Sequence, residues 1–226
     1  VVDIHNHVLP GIDDGAPTID VTKIMLSHYA DLGITKCIAT PHTMADYYGN
    51  TSVGIQQTYN ETREKLLGTK FEDTIIRVAS EYMLDDKFED LLKSEDLLFI
   101  KERILLTELS YFQKPNNLLE LCYEMVTSNI VPILAHPERY SYFKSIEDFK
   151  DLKQRGFVLQ LNLLSLSGHY GDTARKMGEQ LLLEGMYEYI GTDAHKPEHL
   201  EKIKNLQVSK KLVDSLNTIC QGQQSI

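Results

Sequence analysis

The sequence predicts an α/β fold, a distorted (β/α)7 TIM-like barrel with a metal site at the C-terminal mouth of its strands. Three observations predict it. Short apolar stretches of β character alternate with stretches of helical spacing at intervals of roughly 25 to 40 residues, the pattern of a parallel sheet covered by helices. Nearly every strand ends in a histidine or a carboxylate. The length of 226 residues also falls short of the roughly 250 typical of eight barrel units, so seven fit better. No glycine-rich phosphate or dinucleotide fingerprint follows the first strand, which argues against an open doubly wound sheet. A single domain over 1–226 is expected.

The first strand leads from Val1-Val2 into Asp3-Ile4-His5-Asn6-His7, where His5 and His7, two apart, share one face. Val21, Ile24, Met25, His28, Tyr29 and Leu32 recur at helical spacing and stop at Gly33; His28 is read as a packing residue. Thr35–Thr40 is a strand ending in Pro41-His42. A helix runs from about Ser52 to Leu67 and stops at Gly68. Ile75–Ser80 is a third strand, followed by Glu81-Tyr82. Phe88, Leu91 and Leu92 belong to a short acidic helix. Ile104–Thr107 is a strand ending in Glu108, and Leu118, Leu119, Cys122 and Val126 lie on the next helix.

Ile130–Ala135 then ends in His136-Pro137-Glu138-Arg139. Ser145 and Asp148 have capping-box spacing ahead of Phe149 and Leu152, with Gly156 as the stop. Phe157–Asn162 is a sixth strand. The stretch Leu163–His169 is unusually apolar for a loop and is expected to line the mouth or meet a partner. Leu181–Leu183 belong to the helix before Gly185. Tyr189–Thr192, the seventh strand, ends in Asp193-Ala194-His195, and Leu212, Val213, Leu216 and Ile219 mark a closing helix.

Composition narrows the function. With 42% hydrophobic and 25% charged residues, the net charge of −10 argues against a nucleic-acid surface, and an anionic substrate needs local cations or metals to hold it. No apolar run approaches a membrane span. No signal peptide is evident, although a chain opening on Val1 leaves room for an upstream segment. Cys37, Cys122 and Cys220 are odd in number and far apart, as expected of reduced thiols in a cytoplasmic protein.

In a parallel barrel all strand ends converge on one mouth. That would bring together His5, His7, Asp14, His42, Glu81, Glu108, His136, Asp193 and His195. Buried together, so many ionisable groups would be costly unless cations sat among them. Five imidazoles, four carboxylates and no thiolate suit Mn, Fe or Zn better than Ca or Mg alone, and nine ligands suffice for two or three divalent ions. Arg139 is placed to fork onto a phosphate; otherwise it would pair with Glu138 or a neighbour.

His5-Asn6-His7, Asp13-Asp14-Gly15, Pro41-His42, Glu81-Tyr82, Glu108, His136-Pro137-Glu138-Arg139 and Asp193-Ala194-His195 resemble, as a set, the motifs of the polymerase and histidinol phosphatase (PHP) family. Within it, the chain resembles the CpsB/CapC-type bacterial protein-tyrosine phosphatases from Val2 to about Lys202. The resemblance implies a cluster of two or three metals, manganese favoured. It also implies hydrolysis of phosphotyrosine, with the C-terminal tail of a bacterial tyrosine autokinase controlling capsule or exopolysaccharide synthesis as partner. It divides the ligands into His5, His7, Glu81 and Asp193 for one ion, Glu81, Glu108 and His136 for a second, and Asp14, His42 and His195 for a third.

The family often carries a second arginine after the last Asp-x-His; here Lys196 stands, supplying charge without a fork. Tyr48, with Tyr47, Tyr82, Tyr111, Phe112, Tyr140 and Tyr170, is a candidate wall for the phosphotyrosine ring. His199 is expected on a surface helix position, with the rim as the alternative. Two alternatives stay open: a small-molecule phosphomonoesterase of the histidinol-phosphatase type, and a metal-bound regulatory domain without turnover.

Overall fold

The computed structural model of the protein describes residues 1–224. β1 (Val2–Asp3) leads through α1 (Ile19–Asp31) to β2 (Lys36–Ala39), which resumes after a break as β3 (His42–Thr43). After α2 (Ser52–Leu66) come β4 (Ile75–Val78) and, past a second break, β5 (Glu81–Met83). The chain continues through α3 (Asp86–Ser94), β6 (Ile104–Glu108), α4 (Leu118–Thr127), β7 (Val131–Ala135) and α5 (Ile146–Gln154). It finishes with β8 (Val158–Asn162), α6 (Asp172–Leu183), β9 (Tyr189–Gly191), α7 (Pro197–Lys204) and α8 (Lys210–Gln223).

Every strand pairing is parallel, in the orders β1-β2-β4 and β3-β5-β6-β7-β8-β9. Nine segments trace the seven expected strands, because β2 with β3 and β4 with β5 are each one interrupted path. Pro41, in the first break, has no N–H to give a ladder. Rungs from Ala79 N to Ala39 O and from Glu81 N to Pro41 O carry the pairing across both gaps.

The seam between first and last strands closes at two levels. Near the mouth Asn6 pairs in parallel with Ala194, and Asp193 N donates to His5 O at 2.8 Å. At the opposite end a side chain from α8 takes the place of a strand. Gln223 Nε2 donates to Val2 O (2.9 Å) and Ile190 O (2.8 Å), and its Oε1 accepts from Ile190 N at 2.8 Å.

Ile4, Ile38, Leu106, Ile133 and Ala135, from neighbouring strands, form one fully buried cluster, the packed interior expected of this architecture. The helices cover the outside: α1 buries Met25, Leu26 and Tyr29, and α4 buries Leu121, Cys122 and Met125. Each such side chain contributes about 1.5–3 kcal/mol of burial. Cys37, Cys122 and Cys220 are free thiols.

Two expectations are corrected. Leu163–Ser167 is a short 3₁₀ turn, and its Leu164 and Leu166 are buried; they pack into the two helix-covered clusters and do not line the mouth. His199 does sit on a helix, α7, but is only 7% exposed and lines the cleft.

Candidate metal centre

The strand ends gather on one rim. His42 and Glu81 open β3 and β5, Glu108 closes β6, and His136 directly follows β7. His5 and His7 lie just past β1, with Asp193 and His195 just past β9. Of these eight, all but the partly exposed His195 are buried. Asp14 reaches in from the solvent side. Crowding at this rim needs two glycines: a Cβ on Gly191 would lie 2.5 Å from His5 Cβ, and one on Gly15 would lie 2.2 Å from His7 O. His136 and Asp193 hold left-handed backbone at φ +36 and +49, a strain of about 1–3 kcal/mol each that concentrates at functional sites.

Three overlapping groups result, each with its ligand atoms within 4.8 Å of one another. In the first, His5 Nε2 lies 3.1 Å from Glu81 Oε1 and 3.4 Å from Asp193 Oδ1, and His7 Nε2 lies 3.3 Å from Asp193 Oδ1. In the second, His42 Nδ1 lies 3.0 Å from Glu81 Oε2 and 2.8 Å from Glu108 Oε1. The third joins His7, Asp14, His42 and His195; Asp14 Oδ1 is 3.6 Å from His42 Nε2 and 3.5 Å from His195 Nε2. His136 Nε2 stands beside the second group, 3.0 Å from Glu81 Oε1. The division differs from the resemblance in three respects: His7 also joins the third group, His136 stands outside the second, and His42 turns one ring nitrogen to Asp14 and the other to the two glutamates.

These groups fit divalent cations. His5 Nε2, His7 Nε2, His42 Nδ1, Glu81 Oε2 and Glu108 Oε1 are fully buried and make no hydrogen bond, an expensive condition without a cation. They approach one another without the alignment a shared proton requires. The far nitrogens are held: His5 Nδ1 by Gln160 Oε1 at 2.7 Å, His7 Nδ1 by Asp13 Oδ2 at 2.8 Å, and His195 Nδ1 by Asp193 O at 2.9 Å. Partners of this kind set the tautomer that turns an Nε2 lone pair toward a metal.

Electrostatics reflect the crowding. Burial, with Glu81 alongside, pushes Glu108 up to about 7. Burial and the Arg139 cation lower His136 to about 4. For Glu81 burial acts upward, but His5 and His42 outweigh it and hold the carboxyl well below its usual range.

Arg139 lines the cleft over this nest, as do Tyr48 and Lys196. Its partner is not Glu138: Nη1 donates to Asp193 Oδ2 at 2.9 Å. The guanidinium stacks on Tyr170 at 3.8 Å and on Tyr111 at 4.6 Å, a cation–π sandwich that fixes its position. Tyr48 stacks on the His42 ring at 5.5 Å.

The aromatic set divides. Tyr82 and Tyr140 are core residues whose hydroxyls accept from Leu98 N and Leu109 N, so neither walls a slot. Tyr47 and Phe112 line the cleft but stand in solvent, at 78% and 95% exposure. His169 pairs with Lys202 at 2.8 Å.

Four supporting residues escaped the sequence reading: Asp13, Gln160, Asn162 and Glu138. Asn162 Nδ2 donates to Asp193 Oδ2 at 2.7 Å. Glu138 accepts from Asn162 N, Ser165 Oγ and Tyr187 OH. Asp13 lies in Asp13-Asp14-Gly15 and Glu138 in His136-Pro137-Glu138-Arg139, so their position was a usable signal. Gln160 and Asn162 gave one too: a strand face carrying two amides among leucines.

A family model described as capsular polysaccharide synthesis, CpsB/CapC, matches residues 1–215. The chain belongs to the CpsB/CapC family. Among its curated relatives, the putative tyrosine-protein phosphatase CapC of Staphylococcus aureus is 29% identical over 201 residues, covering 86% of this chain and 77% of that one. The tyrosine-protein phosphatase YwqE of Bacillus subtilis is 24% identical over 196 residues, with the same coverages.

Among solved structures, crystal structures of YwqE from Bacillus subtilis and CpsB from Streptococcus pneumoniae are described as those of metal-dependent tyrosine phosphatases. The match there has a TM-score of 0.80 at 21% identity, covering 97% of this CpsB/CapC chain and 92% of its counterpart. A histidinol phosphate phosphatase from Lactococcus lactis, complexed with zinc, L-histidinol and phosphate, matches at a TM-score of 0.54 and 14% identity, covering 95% and 93%. These likenesses show the barrel-like fold.

Proposed function

We propose that this CpsB/CapC member is a metal-dependent protein-tyrosine phosphatase, a phosphoric monoester hydrolase acting on phosphotyrosine. The observation that carries the proposal is the set of buried, hydrogen-bond-free imidazole and carboxylate atoms at the barrel mouth. The names of the CapC and YwqE relatives, as tyrosine-protein phosphatases, support it.

Two or three divalent ions, manganese by preference, would be held by His5, His7, Asp14, His42, Glu81, Glu108, His136, Asp193 and His195. Bound there, they would supply Lewis acidity that brings the pKa of water toward neutrality and offsets phosphoryl charge. The chain's own residues do the rest. Arg139, held by Asp193 and two tyrosines, presents its remaining N–H groups to phosphate oxygens. Tyr48 and Lys196 border the cleft as further substrate contacts. The leaving phenol has a pKa near 10, so it departs without a strong general acid.

Residues 1–226 are proposed to act as one catalytic unit in the cytoplasm, consistent with three free thiols. The physiological substrate in this reading is the tail of a bacterial tyrosine kinase. Elemental analysis is expected to find divalent metal. Phosphotyrosine peptides should be hydrolysed in preference to histidinol phosphate, and chelation or His136→Ala should abolish the activity. Hydrolysis that survives both treatments would overturn the proposal.

A further inference from the structure

The mouth has two chemically different sides. Around the ring, the end of β5 and the segments after β3 and β6 bring Met83, Met44, Tyr47 and Phe112 to the cleft, while those after β7 and β9 bring Arg139 and Lys196. Among the described residues, Phe112 at 95% and Tyr47 at 78% are the two most exposed large hydrophobic side chains. Both lie on the same cleft. Neither belongs to a core cluster. The cleft encloses about 760 Å³, room for a drug-sized ligand and more than one aryl phosphate needs.

We infer that Tyr47 and Phe112 form a docking sector for residues flanking the phosphotyrosine, and that it selects protein segments carrying a large apolar side chain there. The inference rests on the phosphotyrosine reading above. The sector is continuous with the place where the phosphate must lie: Tyr48, next to Tyr47, stacks on His42, and Tyr111, next to Phe112, packs against His136 at 5.8 Å. A segment that delivers its phosphoryl group to the nest therefore lays one flank across this side. Successive residues of an extended segment advance about 3.3 Å, so near neighbours of the reacting residue come within reach. Asp46 and Asp85 border the same side. An acidic flank is disfavoured there, and an apolar one is favoured.

The test compares the native full chain with Phe112→Ser and Tyr47→Ser, all loaded with manganese. The substrates are phenyl phosphate and two phosphotyrosine peptides that differ only in a flanking Leu or Ser. Native protein is expected to prefer the Leu peptide. Each variant should lose about tenfold in kcat/KM for it, while phenyl phosphate and the Ser peptide stay within about twofold.

Equal losses on all three substrates would overturn the inference, as would a native protein indifferent to the flank. A variant that changes the sedimenting species without changing peptide selectivity assigns the patch to a second copy of the chain and also overturns it. Fluorescence anisotropy with a non-hydrolysable phosphonate version of each peptide separates the two readings. Tighter binding of the Leu peptide, lost in Phe112→Ser, supports docking even if turnover fails; equal binding refutes it.

Discussion

Asp13 serves three donors at once: its Oδ2 accepts from His7 Nδ1 at 2.8 Å and His42 N at 3.1 Å, and its Oδ1 from Gly15 N at 2.9 Å. It thereby orients one imidazole and anchors the backbone of another without entering the nest. Asp13→Asn is expected to weaken divalent-metal binding about 10- to 100-fold, the usual cost of losing such a partner, measured by competition with a chromophoric chelator. Unchanged affinity would show that His7 is oriented by packing alone. The candidate ligands themselves were readable because all but Asp14, which lies in the loop after the first strand, stand at strand ends. Asp13 and Gln160 carried a sequence signal but not their role, which depends on the ring nitrogen each meets, and that is a product of the closed barrel. Arg139 was legible as a cleft residue, but its tie to Asp193 was not, since the two are 54 positions apart.

At the scale of elements, the capping box of α5 is the clearest case of sequence dictating structure. Asp148 Oδ2 accepts from Ser145 N and Lys144 N, both at 2.9 Å. Those backbone bonds hold the Asp148 carboxyl below its ordinary value. A depressed carboxylate stabilises the fold above its unfolded pKa near 4, and that stability is lost as pH falls through the lower folded value. Asp148→Asn is therefore expected to lower the melting temperature at pH 7, in line with a cap worth about 1 kcal/mol. The difference from native should shrink as the pH drops below about 4, read by circular dichroism melts across that range. Helix α7 was anticipated only at His199 and given no bounds, although Pro197 at its start and Leu200 and Ile203 on its buried face were the usual signs. Its eight residues gave too short a repeat beside the Asp193-Ala194-His195 motif. The apolar run at Leu163–Leu166 was misplaced because a 3₁₀ turn directs its leucines inward, and no periodicity announces so short an element.

For the whole molecule, the ring of strands was legible from rhythm, and the way it closes was not. Nothing in the sequence marks Gln223 as the residue that spans the seam between Val2 and Ile190, yet it is 2% exposed and makes three backbone hydrogen bonds there. Gln223→Ala would leave those buried groups without partners. It is expected to destabilise the protein by at least about 2 kcal/mol, read as a lower denaturation midpoint in urea. A variant as stable as the native chain would mean that solvent satisfies the seam.

The same closure governs how the protein can be made. Gln223 and Val2 are 221 residues apart, and Asp3 and Thr192 are 189 apart. A polypeptide leaving the ribosome, amino end first, exposes His5 and His7 long before Asp193, Gln160 or the seam residue exist to meet them. Closure of the ring is therefore deferred until Gln223 has been made, and the segment that carries His5 and His7 must pass through that interval as an unshielded chelator.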